Sequence, residues 1–149
     1  MEDLFVDFTI SILKLNKLVQ KIKTFEIEKY NLKPVHVMCG YYLFKNPQGL
    51  TAKDLGELTL EDKAAISRAL KIMSEKGYVK YDANSRNSAV KLTEEGKEFA
   101  CNICNRAEKA VEAGSVDFTD KERIFFYKSL DAIVDNLKNY YKELIKSND

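Results

Sequence analysis

A change of apolar period at Gly77 constrains this chain more than any other feature. Over residues 61–76, Ile66, Leu70 and Met73 recur at helical spacing, and Glu61-Asp62 open the segment with two acids. Gly77 reads as the helix stop. Beyond it Tyr78, Val79 and Tyr81 alternate as a strand does. The polar run Asp82-Ala83-Asn84-Ser85-Arg86-Asn87-Ser88 reads as a turn, and Ala89-Val90-Lys91-Leu92 as the returning strand. Just upstream, TAKDLGEL (51–58) predicts a helix of about two turns. Thr51 is its N-cap, Asp54 its first-turn acid, and Ala52, Leu55 and Leu58 its apolar face. Thr59 and Leu60 break the period.

In order, these pieces are a short helix, a tight turn, a second helix and a hairpin. That is the layout of a winged helix-turn-helix. The flanks are helical as well. Leu4, Phe8, Leu15, Leu18, Ile22 and Phe25 mark a first helix over 3–26, widened by Phe5, Ile12 and Val19. So much apolar surface needs more than one neighbour. A second helix spans 34–46, with Pro34 in its first turn and Asn46-Pro47-Gln48-Gly49 ending it. Thr93 caps a fifth helix, which Gly114 stops. Thr119-Asp120-Lys121-Glu122 is a capping box for a sixth, striped by Phe126, Leu130, Ile133, Val134, Leu137, Tyr141 and Leu144. The expected class is therefore mainly α with a small β-hairpin wing. The winged helix-turn-helix occupies 32–92, and helices from 1–30 and 93–149 flank it within one domain of 149 residues.

Composition bounds the function. With 45% apolar and 32% charged residues the chain reads as globular. No apolar run is long enough for a membrane span, and MEDLFVDF lacks the basic start of a secretory signal. Three Cys, an odd and low number, suit reduced thiols and a cytoplasmic location. The net charge of +1 is nearly neutral, but it is unevenly spread. Residues 45–91 carry nine Lys+Arg against six Asp+Glu, a net of +3, and residues 92–149 carry nine against twelve, a net of −3. The middle therefore permits a nucleic-acid footprint.

The helix of 61–76 must pack its apolar stripe on the short helix before it, which leaves Lys63, Ala64, Ser67, Arg68 and Lys71 on the other face. Small residues at Ala64 and Ala65 let such a helix sit close to base edges, and Lys, Ser and Arg donate to phosphates and bases. Thr51 and Lys53, at the start of the short helix, and Asp62, at the start of the second, complete the expected contact set. At the hairpin tip Asn84, Arg86 and Asn87 make a polar finger suited to the minor groove or the backbone.

The run GLTAKDLGELTLEDKAAISRALKIMSEKGYVKYDANSRNSAVKLTEEG, from Gly49 to Gly96, resembles the MarR family of regulators. The motifs that carry the resemblance are Gly49-Leu50-Thr51 with Leu55, Asp62-Lys63 with Ser67-Arg68, Glu75-Lys76-Gly77-Tyr78-Val79, and Leu92-Thr93-Glu94-Glu95-Gly96. The number and length of the flanking helices match too. The resemblance implies a homodimer, built from helices of both chain ends, that sets two wings and two recognition helices on a pseudo-palindromic site in double-stranded DNA. Repression is the family's usual mode. The wing departs from the family pattern Asp-x-Arg-Arg, and only Arg86 carries over, as a wing contact. The family's small-molecule effectors bind between the dimer helices and the DNA-binding part, and His36, Tyr41 and Tyr42 are the candidate lining here.

Little in the sequence points to catalysis. His36 is the single His, and no phosphate loop, paired catalytic carboxylates or Ser-His-Asp set occurs, so neither an enzyme nor a cofactor is expected. Cys101-Asn102-Ile103-Cys104 has no second pair for a zinc site, so no metal is expected. It also lies mid-helix, away from the N-terminus that would stabilise a thiolate. Buried, inert thiols and a redox-sensing pair both remain open. A winged-helix protein-interaction module that never meets DNA is the alternative of a different class.

Overall fold

Side chains fix where most of the helices begin. The computed structural model describes residues 3–85 and 87–148, so Arg86 lies outside the described residues. Asp3 caps α1 (Leu4–Ile27) by accepting from the Val6 N–H at 3.2 Å. A single 3-10 turn, Glu28–Tyr30, follows. Ahead of α2 (Pro34–Lys45), the Lys33 N–H donates to Nδ1 of His36 at 2.8 Å. Thr51 and Asp54 form a reciprocal capping box on α3 (Ala52–Thr59), at 3.1 and 2.9 Å. Asp62 caps α4 (Lys63–Glu75) through the Ala65 N–H at 2.7 Å. The expected start of this helix at Glu61 is thus corrected. Asp62 is extended, and the Glu61 N–H turns back to the Gly56 carbonyl. Thr93 accepts from the Gly96 N–H at the head of α5 (Glu94–Gly114), and Thr119 with Glu122 closes the box on α6 (Asp120–Ser147).

The chain divides into two compact units, residues 1–106 and 107–149. In the first, Leu43 and Cys39 of α2, Leu55 of α3, and Ile66, Leu70 and Met73 of α4 pack with Val79 and Val90 of the hairpin into one buried cluster. Leu55 is the buried residue of α3. Leu58, expected beside it, is exposed, because a helix of two turns meets the core at one point. A second cluster joins Ile27, Leu32, Val37, Phe99 and Ile103, and Arg106 pairs with Glu26 to tie α5 to α1.

The hairpin is shorter than its apolar pattern suggested. β1 (Val79–Lys80) pairs antiparallel with β2 (Lys91–Leu92), Val79 opposite Leu92 and Lys80 opposite Lys91. Tyr78 is lost to the strand because its N–H closes α4 on the Met73 carbonyl and its ring stacks on Phe99, 4.5 Å between centroids. On the other side Val90 exchanges both backbone hydrogen bonds with Leu50, at 2.8 and 3.2 Å, giving the sheet a third, one-residue strand. Gly49 makes that approach possible. Its φ is +92°, and a Cβ there would lie 2.8 Å from the Val90 carbonyl oxygen.

In the second unit, α5 ends at Gly114 and buried Ser115 folds its hydroxyl back on the Val111 carbonyl at 2.6 Å. Phe118 meets Phe126 edge-on at 5.8 Å. Among the described residues α6 buries none of its side chains, and α1 buries Ile27 alone. No helix of the described residues is long and apolar enough to cross a membrane.

Candidate nucleic-acid interface

The two faces of α4 are sharply divided. Ile66, Ala69, Leu70 and Met73 are buried, while Lys63, Ala64, Ser67, Arg68 and Lys71 are exposed. The spacing accounts for the division, since the exposed residues lie between the apolar positions that repeat every three or four residues. Among the described residues no carboxylate forms an ion pair with Lys63, Arg68 or Lys71. The stripe therefore presents its positive charge and its donors to solvent. Ala65 is half-buried, and its N–H is spent on Asp62.

Residues expected beside this stripe divide into contacts and supports. Lys53 is exposed on α3. Thr51 and Asp62 hold helix starts, so their oxygens are committed to the backbone. The hydrogen bonds from Thr51 hold the Asp54 carboxyl below its ordinary range. In the wing, Asn84 and Asn87 are exposed, and Arg86 lies outside the described residues. Two residues not anticipated shape the wing tip. The Asp82 carboxylate accepts from the Asn84 N–H at 3.0 Å, and the Ser88 hydroxyl accepts from the Asp82 N–H at 2.8 Å. The Asp-x-Asn spacing is an Asx-turn signal that could have revealed the first.

The three residues expected to line an effector cleft are not alike. Tyr41 and Tyr42 are half-buried and meet edge-on at 5.7 Å. His36 is 2% exposed and serves the start of α2 as a cap. Burial lowers its pKa, with Lys33 and Lys76 adding to the shift, while a hydrogen bond to the Lys33 backbone opposes it. A base whose pKa falls on folding contributes stability that is present above its unfolded pKa of about 6.5 and is lost as pH drops. Thermal stability is therefore expected to decline as pH falls below about 6.5, in a step that His36→Gln removes. A histidine titration by NMR that stays at the ordinary pKa would contradict this.

The cysteines split the same way. Cys104 is buried, but Cys101 is exposed, which corrects the expectation that both thiols are buried. Burial pushes the Cys39 thiol up to about 12, with the Glu61 carboxylate adding to it, so this thiol is inert at neutral pH.

No family model matches the chain, and no curated protein sequence does. Solved structures do. A MarR transcriptional regulator from Methanosarcina mazei Go1 superposes with a TM-score of 0.77 at 24% identity, covering 93% of each chain. A MarR protein from Peptoclostridium difficile reaches 0.81 at 20% identity, over 97% of this chain and 95% of its own. A MarR family regulator from Listeria monocytogenes, solved in complex with a 26mer DNA, gives 0.78 at 20% identity over 98% and 96%. At these identities the likeness establishes the fold.

Proposed function

From the MarR-type winged-helix fold that this chain has, we propose that it is a DNA-binding transcriptional regulator acting as a homodimer on a pseudo-palindromic site, with repression as its mode. The observation that carries this is the exposed Lys63, Ser67, Arg68 and Lys71 stripe on α4, rigidly backed by the core and without anionic partners among the described residues. A helix of this form fits the major groove, where Arg reads guanine and Lys and Ser hold phosphates. The Listeria relative, solved with DNA, supports the same use of the fold. Fluorescence anisotropy with duplex DNA from upstream of the protein's own coding sequence tests it. Binding that weakens steeply with salt is expected, and salt-independent or absent binding argues for the protein-interaction alternative.

The homodimer rests on a separate observation. In α1, Leu4 and Phe5 are each 76% exposed and Phe25 is 79% exposed, and in α6 Phe125 is 74% exposed. Large apolar side chains left this exposed along each helix mark an interface. We expect light scattering to give twice the chain mass for the wild type, and one chain mass for the double variant Leu15→Glu and Leu18→Glu. A monomeric wild type would remove the homodimer from the account. In the dimer, two α4 helices about 34 Å apart meet successive major grooves. A small molecule that prefers one spacing shifts the population and with it the affinity for DNA.

A further inference from the structure

We propose that Lys80 and Lys91, at the base of the wing, form a two-lysine clamp for a single DNA backbone phosphate, an inference that rests on the DNA-binding reading. The two residues are direct cross-strand partners. Their neighbours fix where they point. Val79 is buried, and Leu92, half-buried, packs on the same core. Side chains alternate along a strand, so Lys80 and Lys91 stand together on the opposite, outward face, and both are exposed. Directly opposed residues on one face have Cβ atoms about 4.5–5.5 Å apart.

Like charges placed this way oppose folding. Among the described residues no ion pair reaches either ammonium group. The nearest acid in the wing, Asp82, is engaged by the Asn84 N–H. On the far side of Lys91 the sheet continues into Leu50 and Gly49, and a Cβ on Gly49 would lie 3.0 Å from Cγ of Lys91. Glycine therefore leaves room for the Lys91 stem and keeps the surface beside it low. The flexible stems of two directly opposed lysines let their ammonium groups each donate to a different oxygen of one phosphate, as charge-assisted hydrogen bonds of about 2.7–2.9 Å. The phosphate belongs to a nucleic-acid backbone because the α4 stripe, in the same compact unit, offers further unpaired cations to the same polymer.

The test measures binding against salt for the full chain, on its upstream duplex and on a random duplex of equal length. Lys80→Gln with Lys91→Gln is expected to lower the slope of log K against log salt by about 0.9, the value for the one phosphate the pair neutralises. The loss should be equal on both duplexes, because a phosphate contact carries no sequence information. Relief of the repulsion should leave the thermal midpoint unchanged or raised, which excludes misfolding as the cause. Lys80→Arg with Lys91→Arg should keep the wild-type slope. A Gln pair that keeps the wild-type slope, while Arg68→Ala still weakens binding, overturns the clamp and leaves the regulator reading intact. A wild type without salt-dependent binding overturns both.

Discussion

Arg68→Ala is expected to weaken binding to the specific site about 5- to 150-fold, the equivalent of about 1–3 kcal/mol. Arg68 is exposed on α4, one residue from Ser67, on the side opposite Ile66 and Leu70. Its guanidinium pairs with no carboxylate among the described residues. The planar fork can therefore meet the two acceptors on the major-groove edge of guanine, and alanine removes both bonds at once. Folding should barely change, since an exposed substitution away from caps and ion pairs stays within about 0.5 kcal/mol. Loss of discrimination between specific and random duplexes distinguishes this residue from Lys63 and Lys71, whose removal should weaken both alike. Equal affinity of Arg68→Ala and the wild type would remove Arg68 from the contact set.

Gly96→Ala should have the largest effect on stability. Gly96 sits in the first turn of α5, where that helix starts against the stop of α4. A Cβ there would lie 1.9 Å from the Tyr78 carbonyl oxygen, far inside van der Waals contact, and 2.8 Å from its carbon. Two hydrogen bonds hold the segments together, Thr93 N–H to the Tyr78 carbonyl at 3.0 Å and the Thr93 hydroxyl to the Gly77 carbonyl, while the Gly96 N–H caps α5 on the Thr93 hydroxyl at 3.0 Å. Backbone, not a yielding side chain, meets the added methyl, so the junction must open. We expect a loss of about 3 kcal/mol, the upper part of the range for overpacked sites. That lowers the thermal midpoint by roughly 6–12 °C in calorimetry. DNA binding should fall with it, because the same junction orients the wing. A midpoint within about 1 °C of wild type would show that α5 can shift without cost.

Local chemistry made most of the elements legible in the sequence. Thr51, Asp62 and Thr119 stand where helices begin, and Gly77 where one ends, because a cap or a left-handed stop depends on residues a few positions apart. What depended on distant residues was hidden. The Leu50 bridge to Val90 is one residue long and has no period to detect. The reason for Gly96 is the Tyr78 carbonyl, eighteen positions earlier. The cross-strand meeting of Lys80 and Lys91 required the register, which alternation alone leaves free by two residues. In the candidate interface, the α4 stripe followed from helical spacing alone. Thr51 was legible as a cap too, but the capping role of Asp62 was not, since a cap, a first-turn acid and a DNA contact call for the same residue types.

The most direct test of the regulator reading is a hydroxyl-radical footprint of the full-length protein on its own upstream DNA. Two protected tracts are expected, related by pseudo-two-fold symmetry and centred about one helical turn apart, roughly 34 Å. Arg68→Ala should erase both together. No protection at protein concentrations that saturate anisotropy binding, or protection that wanders evenly along the duplex, would contradict a dimer that reads a specific site.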